Sequence, residues 1–173
     1  MKSLKNIRGF TLIELLIVLA IASIVIGAVN SFFISNYKLF YRGNDQIILQ
    51  DEVQKAMDEI IDKAMETEGV LSAKGKNNED ISNSSEEYEI SSITFERSEG
   101  DLTIEYDDNS IYYKYNSQPR VKIAKHIDYL KIEPILENYK NCKGIRIVIE
   151  GSRGKAIVKV EDYVYFRNKE AVK

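Results

Sequence analysis

The chain has 173 residues, enough for one membrane segment and one small domain, and carries 24 basic against 27 acidic side chains. That slightly acidic balance argues against broad electrostatic binding of nucleic acid. A single cysteine, Cys142, excludes an internal disulfide, and a single histidine, His126, excludes any chemistry that needs two imidazoles.

The first element is a short basic segment, residues 1–9, with Lys2, Lys5 and Arg8 and no acid. It runs directly into Phe10-Thr11-Leu12-Ile13-Glu14. In the twenty residues from Phe10 to Val29 only Thr11, Glu14, Ser23 and Gly27 are not apolar. At about 1.5 Å per residue such a run is roughly 30 Å of helix, the thickness of a bilayer's hydrocarbon core. The leader charges predict that the N-terminus stays on the cytoplasmic side and the rest lies outside. Without the leader the 24 basic side chains fall to 21 against 27 acidic, a balance of −6. A carboxylate near the start of such a run costs on the order of 2.5–3.5 kcal/mol on insertion scales, less near the interface, so Glu14 is expected to meet a positive group.

Residues 5–21, Lys-Asn-Ile-Arg-Gly-Phe-Thr-Leu-Ile-Glu-Leu-Leu-Ile-Val-Leu-Ala-Ile, resemble the N-terminus of type IV prepilins and pseudopilins. The resemblance implies cleavage by a membrane-embedded prepilin peptidase between Gly9 and Phe10, N-methylation of Phe10, and an assembly role for Glu14. It implies as partners other pilin subunits, the peptidase, the inner-membrane assembly platform and its motor, and membrane lipid before assembly. DNA or a secreted substrate as a partner has no support in the residues. Two other readings of the apolar run fit it less well. A secretory signal peptide is cut after its apolar core, and a run of twenty is too long for one. A plain signal anchor explains the length and the basic flank but neither Glu14 nor the Gly9–Phe10 junction.

Beyond Val29 a helical period continues. Leu49, Val53, Ala56 or Met57, Ile60 and Ala64 make one apolar stripe, opposite Gln46, Gln50, Asp51, Glu52, Gln54, Lys55, Asp58, Glu59 and Lys63. No proline interrupts residues 10–68, so the sequence predicts one helix from about Phe10 to Glu68, ending at Gly69. Gly27 and Gly43-Asn44-Asp45 are its weak points, and Gly43 is the expected site of a bend or break. In the family the chain resembles, major pilins usually carry a proline at the position of Ser31, and its absence here argues against a kink at that point. The aromatic group Phe32, Phe33, Tyr37, Phe40 and Tyr41 suits a membrane interface or packing between neighbouring helices.

Residues 74–87 read as a polar surface loop. The period then changes to two, with strands expected at Glu89–Arg97, Leu102–Asp107, Ile111–Tyr115, Arg120–Ala124, Ile127–Glu133, Ile145–Glu150, Lys155–Glu161 and Tyr163–Arg167. Turns at 98–101, 107–110 and 151–154 imply antiparallel hairpins. The expected fold is α+β: a long N-terminal transmembrane helix continuing into an amphipathic helix packed on an antiparallel sheet, which agrees with the pilin fold. The expected division is a leader at 1–9, a transmembrane and assembly helix at 10–29, its extension at 30–68 and an extracytoplasmic β-rich domain at 69–173. Residues 127–132 and 144–149 with the final hairpin look like the larger minor pilins: the J-type pseudopilins of type II secretion, the W-type minor pilins and a comparable competence subunit. A major pilin is the main alternative.

Other candidate chemistry reads as ordinary surface. His126 is expected to be exposed at a strand start, and Cys142, between Lys140 and Lys143, to be a loop thiol. Asp101, Glu105, Asp107, Asp108 and Asn109 would suit calcium, yet they also make an ordinary turn, so no metal is assigned. Arg153-Gly154-Lys155, with Lys143 and Arg146, could touch phosphate but reads as a solvated hairpin. No cofactor and no enzymatic activity are expected. The function read here is a structural subunit, minor rather than major, of a type IV pilus or pseudopilus. The alternative is a membrane-anchored extracytoplasmic binding module that forms no filament.

Overall fold

The structure is a computed structural model and describes residues 11–167. One helix, α1 (Leu12–Met65), is followed by eight strands: β1 (Gly69–Gly75), β2 (Tyr88–Glu96), β3 (Leu102–Asp107), β4 (Ser110–Tyr115), β5 (Val121–Lys125), β6 (Ile127–Pro134), β7 (Gly144–Arg153) and β8 (Ala156–Tyr165). The sheet order is β5-β4-β3-β2-β6-β7-β8, each pair antiparallel, and β1 pairs with β2 off that path. This is α+β with a single helix and an antiparallel sheet, consistent with the pilin fold. Residue contacts divide the chain at Tyr41/Arg42 into two compact units.

In the second unit the predicted stripe is the buried face of α1: Leu49, Val53, Ala56, Met57, Ile60 and Ala64 are all buried. It packs on apolar residues that alternate along the strands, among them Ile93, Phe95, Leu102, Ile104, Leu130, Ile132, Ile147 and Ile149. The helix stops at Met65, where Thr67 Oγ1 and N–H both donate to the Ala64 carbonyl, at 2.6 and 3.1 Å. The chain then enters β1 at once.

Several expectations are corrected. Helical structure continues through Gly43 without a break, because the stripe on its far side holds the helix against the sheet. Strand β1 was not anticipated, and the polar loop begins only after it. Loop residue Ile81 is buried, and its N–H donates to Ala73 O at 3.0 Å, while Ser82 Oγ accepts from Ala73 N–H at 3.0 Å. The last two expected strands are one, β8, and β7 runs through to Arg153. The hairpin turn is only Gly154-Lys155, with Gly154 at φ +60, which suits a two-residue connection. Gly151 lies in the ladder instead, where a Cβ would come 2.5 Å from the His126 carbonyl and 3.2 Å from Leu49 and Val53 of the helix. Between β3 and β4, Asp108 and Asn109 make the expected tight turn at φ +46 and +52.

Candidate assembly segment

Gly9 and Phe10 lie outside the described residues. The description begins at Thr11, immediately before the first helical residue. Thr11 and Glu14 cap the helix reciprocally: Thr11 N–H and Oγ1 approach Glu14 Oε2 at 3.4 and 3.5 Å, and Glu14 N–H approaches Thr11 Oγ1 at 3.3 Å. These long contacts form the capping box that Thr-x-x-Glu before an apolar run specifies, a signal available in the sequence and missed there. Glu14 therefore accepts the Thr11 N–H, while Thr11 Oγ1 accepts that of Glu14, and its carboxylate places a negative charge at the positive end of the helix.

From Leu12 to Tyr41 the large apolar side chains are exposed, Leu12 to 81% and Phe40 to 72%. The helix is long and apolar enough to cross a membrane by length and composition. Three of its polar side chains bond back to the helix: Ser23 Oγ donates to Leu19 O at 2.8 Å, Ser31 Oγ to Gly27 O and Asn36 Nδ2 to Phe32 O, each at 3.0 Å. The aromatic residues touch one another, Phe32 with Phe33, and Tyr41 with both Tyr37 and Phe40.

The remaining candidates do not converge. His126 is half-buried rather than exposed, at φ +61, because it turns the chain from β5 into β6. Its carbonyl accepts from Ser152 N–H, while Nδ1 is shielded without a partner. Cys142 is in a loop as expected but fully buried, with its thiol 3.1 Å from Tyr139 O. That geometry makes it a small packing residue rather than an accessible nucleophile. Of the acidic set, Glu105 pairs with Lys114, Asp107 pairs with Arg120 at 2.9 Å, and Asp108 and Asn109 form the turn. Among the described residues no group of three or more potential ligands could hold a metal. Arg153 reaches back to Asp45 at 3.0 Å, which occupies the charge considered for phosphate.

Arg146, grouped in the sequence with the possible phosphate contacts, is instead a polar hub among the described residues. Its guanidinium meets Glu161 at 2.7 Å, Glu133 at 2.8 Å and Glu87 at 3.0 Å. Hydrogen bonds to Glu161 and Glu133 raise its pKa, and the same contact holds the Glu161 carboxyl below its ordinary value. Glu133 and Tyr163 are its cross-strand partners on β6 and β8, so the signal lies in the register, which the sequence alone left open.

Residues 4–30 match the model of the prokaryotic N-terminal methylation motif, the signature of type IV pilins and pseudopilins. No curated protein shows a significant similarity to the chain, and no solved structure does.

Proposed function

We propose that this chain is a processed structural subunit, minor in abundance, of a type IV pilus or related pseudopilus, rather than an enzyme. The observation that carries this reading is the methylation motif over residues 4–30 joined to an uncovered apolar helix capped by Thr11 and Glu14. In this reading residues 1–9 are the leader, cleavage falls between Gly9 and Phe10, and Phe10 is N-methylated. Residues 10–29 hold the subunit in the cytoplasmic membrane with its N-terminus inside, and 30–68 extend that helix into the β-rich domain at 69–173. Other pilin subunits then replace lipid around the apolar segment, with the peptidase, the assembly platform and the motor as partners.

Cleavage changes the charge problem at Glu14. The new amine at Phe10, methylated or not, is a cation one residue before the cap. In this reading the Glu14 carboxylate pairs with that amine on its own chain or on a neighbour, which would offset part of the cost of burying either charge. The test is N-terminal sequencing and mass of the membrane-held protein with and without the peptidase gene. Mature protein should begin at Phe10, and peptidase loss or Gly9→Val should leave it nine residues longer. A mature chain beginning anywhere else, or an unchanged mass without the peptidase, would overturn the reading.

A further inference from the structure

At the C-terminal end of β6 a pocket of about 330 Å³ is lined by Glu133, Pro134, Ile135, Leu136, Arg146 and Tyr163. That volume lies at the lower end for small-molecule sites. Leu136 sits at φ +79, a left-handed conformation that bulky side chains avoid, and it is 79% exposed. The Ile135 N–H donates to Gly144 O at 2.9 Å, so the strained residue follows directly on a fixed one. A strained leucine left in solvent gives the fold no packing, and backbone outliers of this kind gather at ligand sites. Tyr163 lines the pocket from β8, half-exposed, with its hydroxyl donating to Glu161 at 3.1 Å. Tyr165, two residues on and on the same face, lies against Gly144, where a Cβ would come 3.1 Å from its Cδ1.

The Arg146 hub supplies the polar side. Arg146 donates through Nε to Glu161 and through Nη1 to Glu133 and Glu87, and among the described residues no hydrogen bond uses Nη2. None there uses Glu133 Oε1 or Glu161 Oε2 either. One small cluster therefore keeps both donors and acceptors to spare. Its charges are balanced. The carboxylates of Glu87, Glu133 and Glu161 face Arg146, Lys131 at 3.5 Å from Glu87, and Lys159, whose charge Glu161 also feels. An incoming ion of either sign gains no net field and meets like charges. A neutral ligand that both gives and takes hydrogen bonds avoids that penalty.

We propose that this pocket binds a neutral saccharide, with the C–H face of a pyranose ring against Tyr163, Ile135 and Leu136, and neighbouring hydroxyls bonded to Arg146 Nη2 and the free oxygens of Glu133 and Glu161. Each hydroxyl donates one proton and accepts on its oxygen, so a vicinal pair matches a guanidinium edge beside carboxylates. An amide offers a donor and an acceptor too, but no hydrocarbon face for the phenol ring. No group has to change its charge, since the ion pairs already in place keep the spare donors and acceptors fixed. The site lies wholly within the β-rich part of the chain and stands apart from the filament reading.

The test is saturation-transfer NMR and titration of the full-length protein, in a detergent without a sugar headgroup. The probes are glucose, cellotetraose, maltotetraose and the N-acetylglucosamine tetramer, with trigalacturonate and tetralysine as charged controls. At least one neutral sugar should bind, its ring C–H protons receiving the strongest transfer. Tyr163→Ala should weaken that binding about tenfold, and Tyr163→Phe should leave it nearly unchanged. Leu136→Asn tolerates the left-handed backbone, so it should raise the melting temperature while weakening binding, a split that a purely structural leucine would not give. A tetramer bound more tightly than glucose marks a polysaccharide as the source and equal affinity a free sugar; both support the pocket. Three outcomes overturn it: no binding by any neutral probe, a charged control bound more tightly than all of them, or binding that survives both Tyr163→Ala and Arg146→Ala.

Discussion

Glu14 has two separable tasks at the scale of one residue. As the third-position member of the capping box it accepts the Thr11 N–H at the first turn of the helix. As a charge it would match the amine that cleavage creates. Glu14→Gln keeps an oxygen for the Thr11 N–H and removes the charge; Glu14→Val removes both. If charge matching governs assembly, both variants are inserted and cleaved, and both enter filaments poorly; a quantitative blot of sheared filaments reads this. Incorporation of the Gln variant at the wild-type level would leave capping as the whole role. Two tyrosines make a second residue-scale prediction. Burial, with a 2.9 Å hydrogen bond to Glu150, pushes Tyr129 up to about 12, and burial raises Tyr139 further. Because the folded state holds these protons more tightly than an unfolded chain, which loses them near 10, their stabilisation is complete below that pH. It is lost as pH rises through the folded values. Stability measured from pH 9 to 12 should fall, and Tyr129→Phe should flatten part of that fall; an unchanged slope would show that Tyr129 titrates normally.

Among the elements, the amphipathic half of α1 was the most legible in sequence, because Leu49, Val53, Ile60 and Ala64 recur with a period that no strand can use. Ile60, buried at the centre of this contact, should cost about 2–5 kcal/mol when cut to Ala, read as a lower denaturant midpoint with an unchanged slope. A loss below 1 kcal/mol would mean the helix repacks freely on the sheet. Strands β3 and β4 were equally readable, since Asp108-Asn109 fixes the turn between them. Strand β1 was not: Gly-Val-Leu-Ser-Ala-Lys-Gly alternates weakly, and its pairing with β2 is a long-range choice. The register that brings Glu133, Arg146 and Glu161 together is likewise invisible until β6, β7 and β8 are aligned. The processing junction, by contrast, was read wholly from sequence and lies outside the described residues.

For the molecule as a whole, the division at Tyr41/Arg42 separates a segment whose apolar side chains are exposed from one that buries its own. About 130 residues suffice for a single core without cross-links. A chain beginning at Arg42 should be soluble and monomeric at low concentration, show mixed helix and strand by circular dichroism, and unfold cooperatively. Reducing agent should leave that transition unmoved, since Cys142 is the single cysteine of the sequence and is buried. A disordered product would mean that the helix-on-sheet core depends on the preceding segment. Because Ser23, Ser31 and Asn36 spend their donors on their own helix, the apolar shaft presents neighbours with hydrocarbon and few directional bonds. Packed shafts of this kind can slide and rotate past one another at little energetic cost. A filament built on them would stretch and twist under load like a cable of greased strands, with its rest length set by the charged ends and the outer domains rather than by the shaft.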